Sequence, residues 1–319
     1  MQNNTDNIDN YDAEIDLKEL FLILWNKKIL ISIITTIAAI LSVLYALSLP
    51  NIYSSHALLA PSNPNESLTS KLGAYSALAG MAGVSIPGTT FDPSLEAIER
   101  IKSFDFFSNH FLPYIKLENL VAVEEWVPGK NTLLYDEEAF DLKNRMWIQK
   151  VEYPLSIIPS NQEAYRVYRE ILSISLDQKN QFVSVSISHK SPFLTKKWLD
   201  IIIKNINESM REIDKQSALS SINFLNESSQ VTNLIEIKEV LAQLLEGQMQ
   251  KLMLASANKN YIYKEIESPV VPETKSSPSR GMICILGTIL GGIFGILLAF
   301  VSHYSSSTQS FTYRKKPVI

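Results

Sequence analysis

Two stretches without a single charge constrain this chain more than any other feature. One runs from Ile29 to Leu49 and the other from Gly281 to Val301, 21 residues each. A helix needs about 20 apolar residues to cross roughly 30 Å of hydrocarbon. A buried core helix of that length would carry a polar face, and neither run has one. A cleaved signal peptide would have an apolar region of about 7–15 residues behind a basic start. Here the preceding "DNIDNYDAEIDLKEL" is acidic and the run is longer, so it reads as an uncleaved anchor. The expected order is a segment 1–28, a transmembrane helix 29–49, an outer domain 50–280, a second transmembrane helix 281–301, and a tail 302–319. Lys18, Lys27 and Lys28 precede the first run, and Arg314, Lys315 and Lys316 follow the second. No Lys or Arg follows the first run until Lys71. This bias places both termini in the cytoplasm, although Lys275 and Arg280 at the mouth of the second run oppose it mildly.

Composition narrows the function classes. The formal charge of −4 is no footprint for nucleic acid. The one cysteine, Cys284, lies within the second apolar run, so no disulfide forms within the chain and no cysteine cluster holds a metal. The four histidines, at 56, 110, 189 and 303, show no metal-ligand spacing. "PGKNT" at 128–132 has the Gly-Lys of a phosphate loop, but Glu124 stands where its first glycine belongs, so a surface turn is expected. Glu124–Glu125 and Glu137–Glu138 read as solvated faces, and no nucleophile elbow occurs. No catalytic, cofactor or metal residue is assigned.

The domain between the runs reads as α+β. "NIYSSHALLAP" (51–61) suggests a strand ended by Pro61, and 61–93 a glycine- and proline-rich loop with a short helix. Leu95, Ile98, Ile101, Phe104 and Phe107 recur at helical spacing behind Pro93. A helix is expected around 135–147. Phe182, Val183, Val185 and Ile187 mark a half-buried strand, with "DQKN" as the turn before it. Between Pro192 and Pro269 there is no proline and one glycine, Gly247. Apolar residues step by three or four through Leu199, Ile203, Ile206, Met210 and Ile213. They resume at Leu234, Ile237, Leu241 and Leu244, with Leu252 two turns on. One long helix over about 192–260 is expected, against two or three helices broken near Ser217–Ser221 or Ser228–Ser229. A stripe that long needs neighbours, so these five residues are read as an oligomer stripe. "NYIYKEIESPVVP" is expected to pair with the strand at 52–60.

The mouth of the second run has its own pattern. Pro269, Pro272 and Pro278 forbid helix just before it. Gly287, Gly291 and Gly295 make two overlapping GxxxG steps, a face expected to pack on the first span of the same or an adjacent protomer.

"LLEGQMQKLMLASANKNYIYKEIESPVVPE" (244–273) resembles the signature stretch of the Wzz chain-length determinants, the polysaccharide co-polymerases of O-antigen lipopolysaccharide synthesis. The resemblance extends to "EIDLKELFLILWNKKILI", "NIYSSHALL", "ISHKSP", "TKKWLD" and the proline and glycine segments, and it is least over 115–170. The family often has a second basic residue where Ser279 stands here. The resemblance implies a bacterial inner-membrane protein with a periplasmic domain, a membrane-proximal mixed sheet and a ring-like homo-oligomer. It further implies a partner polymerase of the Wzy type, contact with the lipid-linked or growing polysaccharide, and no bond chemistry of its own. Control of another polymer, such as enterobacterial common antigen, capsule or exopolysaccharide, stays open. A two-span sensor would need an output domain, for which the tail from Ser302 to Ile319 is too short. A kinase-fused co-polymerase would show a Walker motif after the second run.

Overall fold

In this computed structural model, the residues described are 22, 24–62, 92–232 and 234–312, with side chains as far as 303. The loop expected over 61–93 lies almost wholly outside them. The chain divides into two compact units, residues 1–50 with 277–319, and residues 51–276.

The first unit is a pair of helices, α1 (Lys28–Ser48) and, last in the chain, α8 (Arg280–Thr312). Both have the length and hydropathy of membrane spans, over Lys28–Ser48 and Arg280–His303. Helical structure in α8 continues past the apolar run to Thr312.

The second unit is built on a four-stranded sheet in the order β6-β7-β1-β8. Its strands are β1 (Tyr53–Pro61), β6 (Leu172–Leu176), β7 (Val183–His189) and β8 (Tyr263–Glu267). Every pairing is antiparallel, so the sheet is not mixed as expected. The reason is connectivity. β6 and β7 form a hairpin, whereas a parallel neighbour needs a crossover of a dozen residues or more. β1 leads away from residue 51, and β8 leads back to Ser276, whose N–H donates to the Ile52 carbonyl at 2.8 Å. The expected pairing of the 261–267 stretch with β1 is present, Leu59 opposite Glu265 and Pro61 opposite Tyr263.

Alternation decides which face is core. In β7, Val183, Val185, Ile187 and His189 are buried, while the serines between them are half-buried. In β1, Ser55, Ala57 and Leu59 point inward. The helix α6 (Pro192–Val231) packs its Trp198, Leu199, Ile202, Ile203 and Ile206 into the same core. Pro192 occupies its first turn and Ser191 its cap position, but the serine hydroxyl makes no cap bond. The Ser191 N–H instead donates to His189 Nδ1 at 3.1 Å.

The remaining elements close the core. α2 (Pro93–Ile101) is capped by Asp92, whose carboxylate accepts from the Ser94 N–H at 2.9 Å. Ser103 breaks the helix and caps the next turn, α3 (Phe104–Phe106), which runs into a π-turn at Phe107–Phe111 and a 3₁₀ turn at Leu112–Tyr114. Of the expected stripe, Ile98, Ile101 and Phe107 are buried, while Leu95 and Phe104 face out. α4 (Leu117–Val121) precedes a hairpin of β2 (Val123–Val127) and β3 (Thr132–Tyr135). Its tip is the "PGKN" sequence, with Asn131 at φ 48° accepting from Trp126 Nε1. α5 (Asn161–Ile171) starts with a reciprocal capping box between Ser160 and Glu163.

The helix expected around 135–147 is absent. That stretch forms two short strands, β4 (Phe140–Asp141) and β5 (Met146–Trp147). Asp136 accepts from the Glu138 N–H and Asp141 from those of Lys143 and Asn144. Such side-chain turns compete with helix, and Arg145 at φ 52° completes the second one.

The long helix is not continuous either. α6 ends at Val231, and α7 (Ile235–Ala257) begins after an extended Thr232. The break falls just beyond the serine-rich positions considered from the sequence. Val231 and Thr232 are weak helix formers. α7 folds back antiparallel on α6, joined by a Lys251–Asp214 ion pair at 2.6 Å.

Candidate functional site

Among the described residues, no three His, Cys, Asp or Glu side chains gather as a metal site. His189 is 7% exposed and packs against Trp198, ring centroids 4.8 Å apart. Burial, reinforced by the neighbouring Lys190 charge, pushes its pKa down to about 4. It is therefore a neutral core histidine. Unfolding returns it to about 6.5, so the unfolded state binds the extra proton as pH falls. Its contribution is complete above pH 6.5 and lost between about 6.5 and 4, up to about 3 kcal/mol. Urea midpoints of the full chain in detergent are expected to fall over that window. His189→Gln should flatten the fall, and equal pH slopes for both proteins would refute the assignment.

The residues singled out from the sequence fall into three groups. The first is the face between the two apolar helices. Gly291 meets Ala38, and Gly287 meets Ser42, so closely that a Cβ on either glycine would overlap the opposing Cβ. A Cβ at Gly295 would stand 3.3 Å from the Ile31 carbonyl oxygen. The four-residue step continues to Ala299, which is buried. In lipid, apolar side chains gain little by leaving their surroundings, and close backbone approach supplies the attraction instead. The hydroxyls here are satisfied locally: Thr35 donates to the Ile31 carbonyl and Ser42 to that of Ala39, both at 2.8 Å. Cations tie both ends. Lys27 Nζ donates to Ser302 Oγ at 3.2 Å, and Arg280 donates to the Leu49 carbonyl at 3.3 Å.

The second group is the proline segment. β8 ends its ladder at Glu267, opposite Leu58. Beyond it, Pro269 and Pro272 have no N–H to offer a strand. The segment stays beside β1 through other bonds. Ser55 Oγ donates to the Val270 carbonyl at 2.8 Å, and Lys275 Nζ to Asn51 Oδ1 at 3.3 Å. Pro269 is buried and Pro272 half-buried; Pro278, also half-buried, belongs to the other unit. The two ends of the second unit therefore meet at residues 51–52 and 275–276.

The third group is the α6–α7 hairpin. Leu241 and Leu252 are half-buried, while Leu234, Ile237 and Leu244 are exposed. The stripe is thus divided between half-buried and exposed positions, and Val240, Met253 and Phe224 of the same hairpin are exposed as well. The sequence reading missed what fastens the hairpin to the sheet. Asn207 is buried on α6, and its Oδ1 accepts from the N–H groups of Ile262 and Tyr263, both at 2.9 Å. Its Nδ2 donates to the Tyr263 carbonyl at 3.2 Å. Asp214 accepts from Tyr261 at 2.8 Å as well as from Lys251. A polar residue on the apolar side of a helix was the available signal.

The family model described as "Chain length determinant protein", Wzz, matches residues 13–108. No curated protein matches the chain. Among solved structures, a full-length bacterial polysaccharide co-polymerase is similar at 15% identity and TM-score 0.38, covering 94% of this chain and all of that one. A fragment of WzzB, a polysaccharide co-polymerase from Salmonella Typhimurium, is similar at 16% identity and TM-score 0.30, covering 71% of this chain and all of the fragment.

Proposed function

We propose that the chain is a non-catalytic polysaccharide co-polymerase that sets the modal length of O-antigen made by a Wzy-type polymerase. The observation that carries this reading is the match of residues 13–108 to the chain-length-determinant model, a span that takes in the first apolar helix and β1. In this reading α1 and α8 cross a bacterial inner membrane, both termini are cytoplasmic, and residues 50–280 are periplasmic. The protein acts as a homo-oligomer, and the exposed apolar residues of the α6–α7 hairpin supply contact area between copies. The glycine-packed helix pair is the surface offered to the polymerase within the bilayer. The proline segment transmits the arrangement of the periplasmic units to the spans. The growing glycan is the second partner, and no cofactor takes part.

Deletion of the gene followed by a lipopolysaccharide gel tests this reading. The expected result is polymer that is still made but has lost its modal cluster of lengths. Complete loss of polymer contradicts it and points to an enzyme. An unchanged O-antigen ladder with an altered second surface polymer moves the regulated product to that polymer.

A further inference from the structure

Residues 142–158 are unusual for the surface of a folded unit. Leu142, Met146, Leu155, Ile157 and Ile158 are each about half exposed or more, and Tyr153 is 97% exposed. An apolar cluster of this kind marks a surface that meets something else. Bonds within the segment hold it in this form. Gln149 Nε2 donates to the carbonyls of Ile157 at 3.0 Å and Ser156 at 3.4 Å, and the Leu155 N–H closes a turn onto Glu152. Lys143, Arg145 and Lys150 are interleaved with the apolar residues, against one acid, Glu152.

The segment grows from one end of the sheet. Tyr53, the first residue of β1, packs edge-on against Trp126 of β2 at 5.5 Å. Lys190, just after β7, donates to the Val123 carbonyl at 2.6 Å. From there the Asp136 N–H bonds to Ala122 and the Ile148 N–H to Ala139. Tyr53 follows Leu49, the last residue of the first apolar run, by only four positions. At about 3.5 Å per residue, the chain itself tethers Tyr53 within about 14 Å of the end of that run.

We propose that residues 142–158 rest in the headgroup region of the bilayer, as a membrane-surface contact additional to the two spans. This rests on the two-span reading above. Aliphatic and tyrosine side chains enter the interface and the two lysines meet anionic headgroups, while Arg145 is paired with Glu118 at 3.0 Å. A second copy of the segment fits less well, because two such faces would bring like charges together.

The test uses the full chain with Cys284→Ser and a single new cysteine, Ile157→Cys or Leu155→Cys, carrying an environment-sensitive fluorophore. The protein is placed in vesicles of phosphatidylcholine with phosphatidylglycerol, some of the lipid brominated on the acyl chains near the headgroup and some near the chain ends, the latter to reach the middle of a span. The expected result at both sites is blue-shifted emission, quenched by the brominated lipid, with the quenching weakened by Lys143→Glu plus Lys150→Glu. Probes at Leu290 and at Glu227, exposed on the hairpin, calibrate the membrane and the solvent. If Leu290 is quenched while 157 and 155 behave like Glu227, the surface contact is overturned and the spans stand. If Leu290 itself is not quenched, the two-span reading falls, and this inference with it. Blue-shifted emission without lipid quenching assigns the segment to another protein surface and overturns the inference.

Discussion

Asn207→Ala is expected to destabilise the second unit by roughly 3–5 kcal/mol. β8 is an edge strand, and at Tyr263 its peptide groups are met by Asn207 rather than by β1. Removing the amide leaves the N–H groups of Ile262 and Tyr263 buried without a partner, each costing about 1–3 kcal/mol. Ile262 and Tyr263 are both 3% exposed or less, so water does not replace the lost bonds readily. Asn207→Asp retains the acceptor but loses the donor and buries a charge, so it should also destabilise. Urea unfolding of the full chain in detergent, followed by helicity, checks this. A shift in stability below about 1 kcal/mol for Asn207→Ala would mean that the sheet end holds without the side chain.

Gly291→Leu is expected to separate the two apolar helices and to alter polymer length. A Cβ at residue 291 overlaps the Cβ of Ala38, so the backbones must move apart before the rest of the leucine is placed. Overpacking of this kind costs on the order of 1–3 kcal/mol where the surroundings relax. Here relaxation forfeits the close approach at Gly287 and Gly295 as well. Gly292→Leu is the matched control, because a Cβ there meets only Thr35 Oγ1 at 3.8 Å. The modal length on a lipopolysaccharide gel and the crosslinked oligomers should change for Gly291→Leu and far less for Gly292→Leu. If both variants leave both readouts unchanged, the glycine face has no part in the function.

The legibility of this fold in its sequence follows the physical scale of each signal. The two apolar helices are set by some twenty residues acting together, and their bounds agree with the sequence within a few positions. β7 was legible because its serines and aliphatics alternate without a break, and the return strand because its pattern and its place in the chain agree. The stretch 135–147 misled because its apolar residues approximate helical spacing, while Asp136 and Asp141 form their own turns with the backbone. The continuous helix misled for a related reason. Periodicity survives a reversal of direction, and a stripe that seeks a distant neighbour looks the same as one that folds back on itself. Asn207 stood out only as a polar residue on an apolar helix side, and its partners lie on a strand more than fifty residues away. The glycine face was legible as a motif, while its partners Ser42, Ala38 and Ile31 required the structure.

The central claim is that the chain changes how long a polymer becomes without making its bonds. The most direct measurement uses purified polymerase and lipid-linked repeat units in vesicles, with and without this chain, and reads the length distribution of the product. The account predicts that the chain alone joins no repeat units. Added to the polymerase, it gathers the products into a modal cluster while the total number of repeats incorporated changes little. Polymer formed or cleaved by the chain alone, or a length distribution unmoved by its addition, would contradict the account.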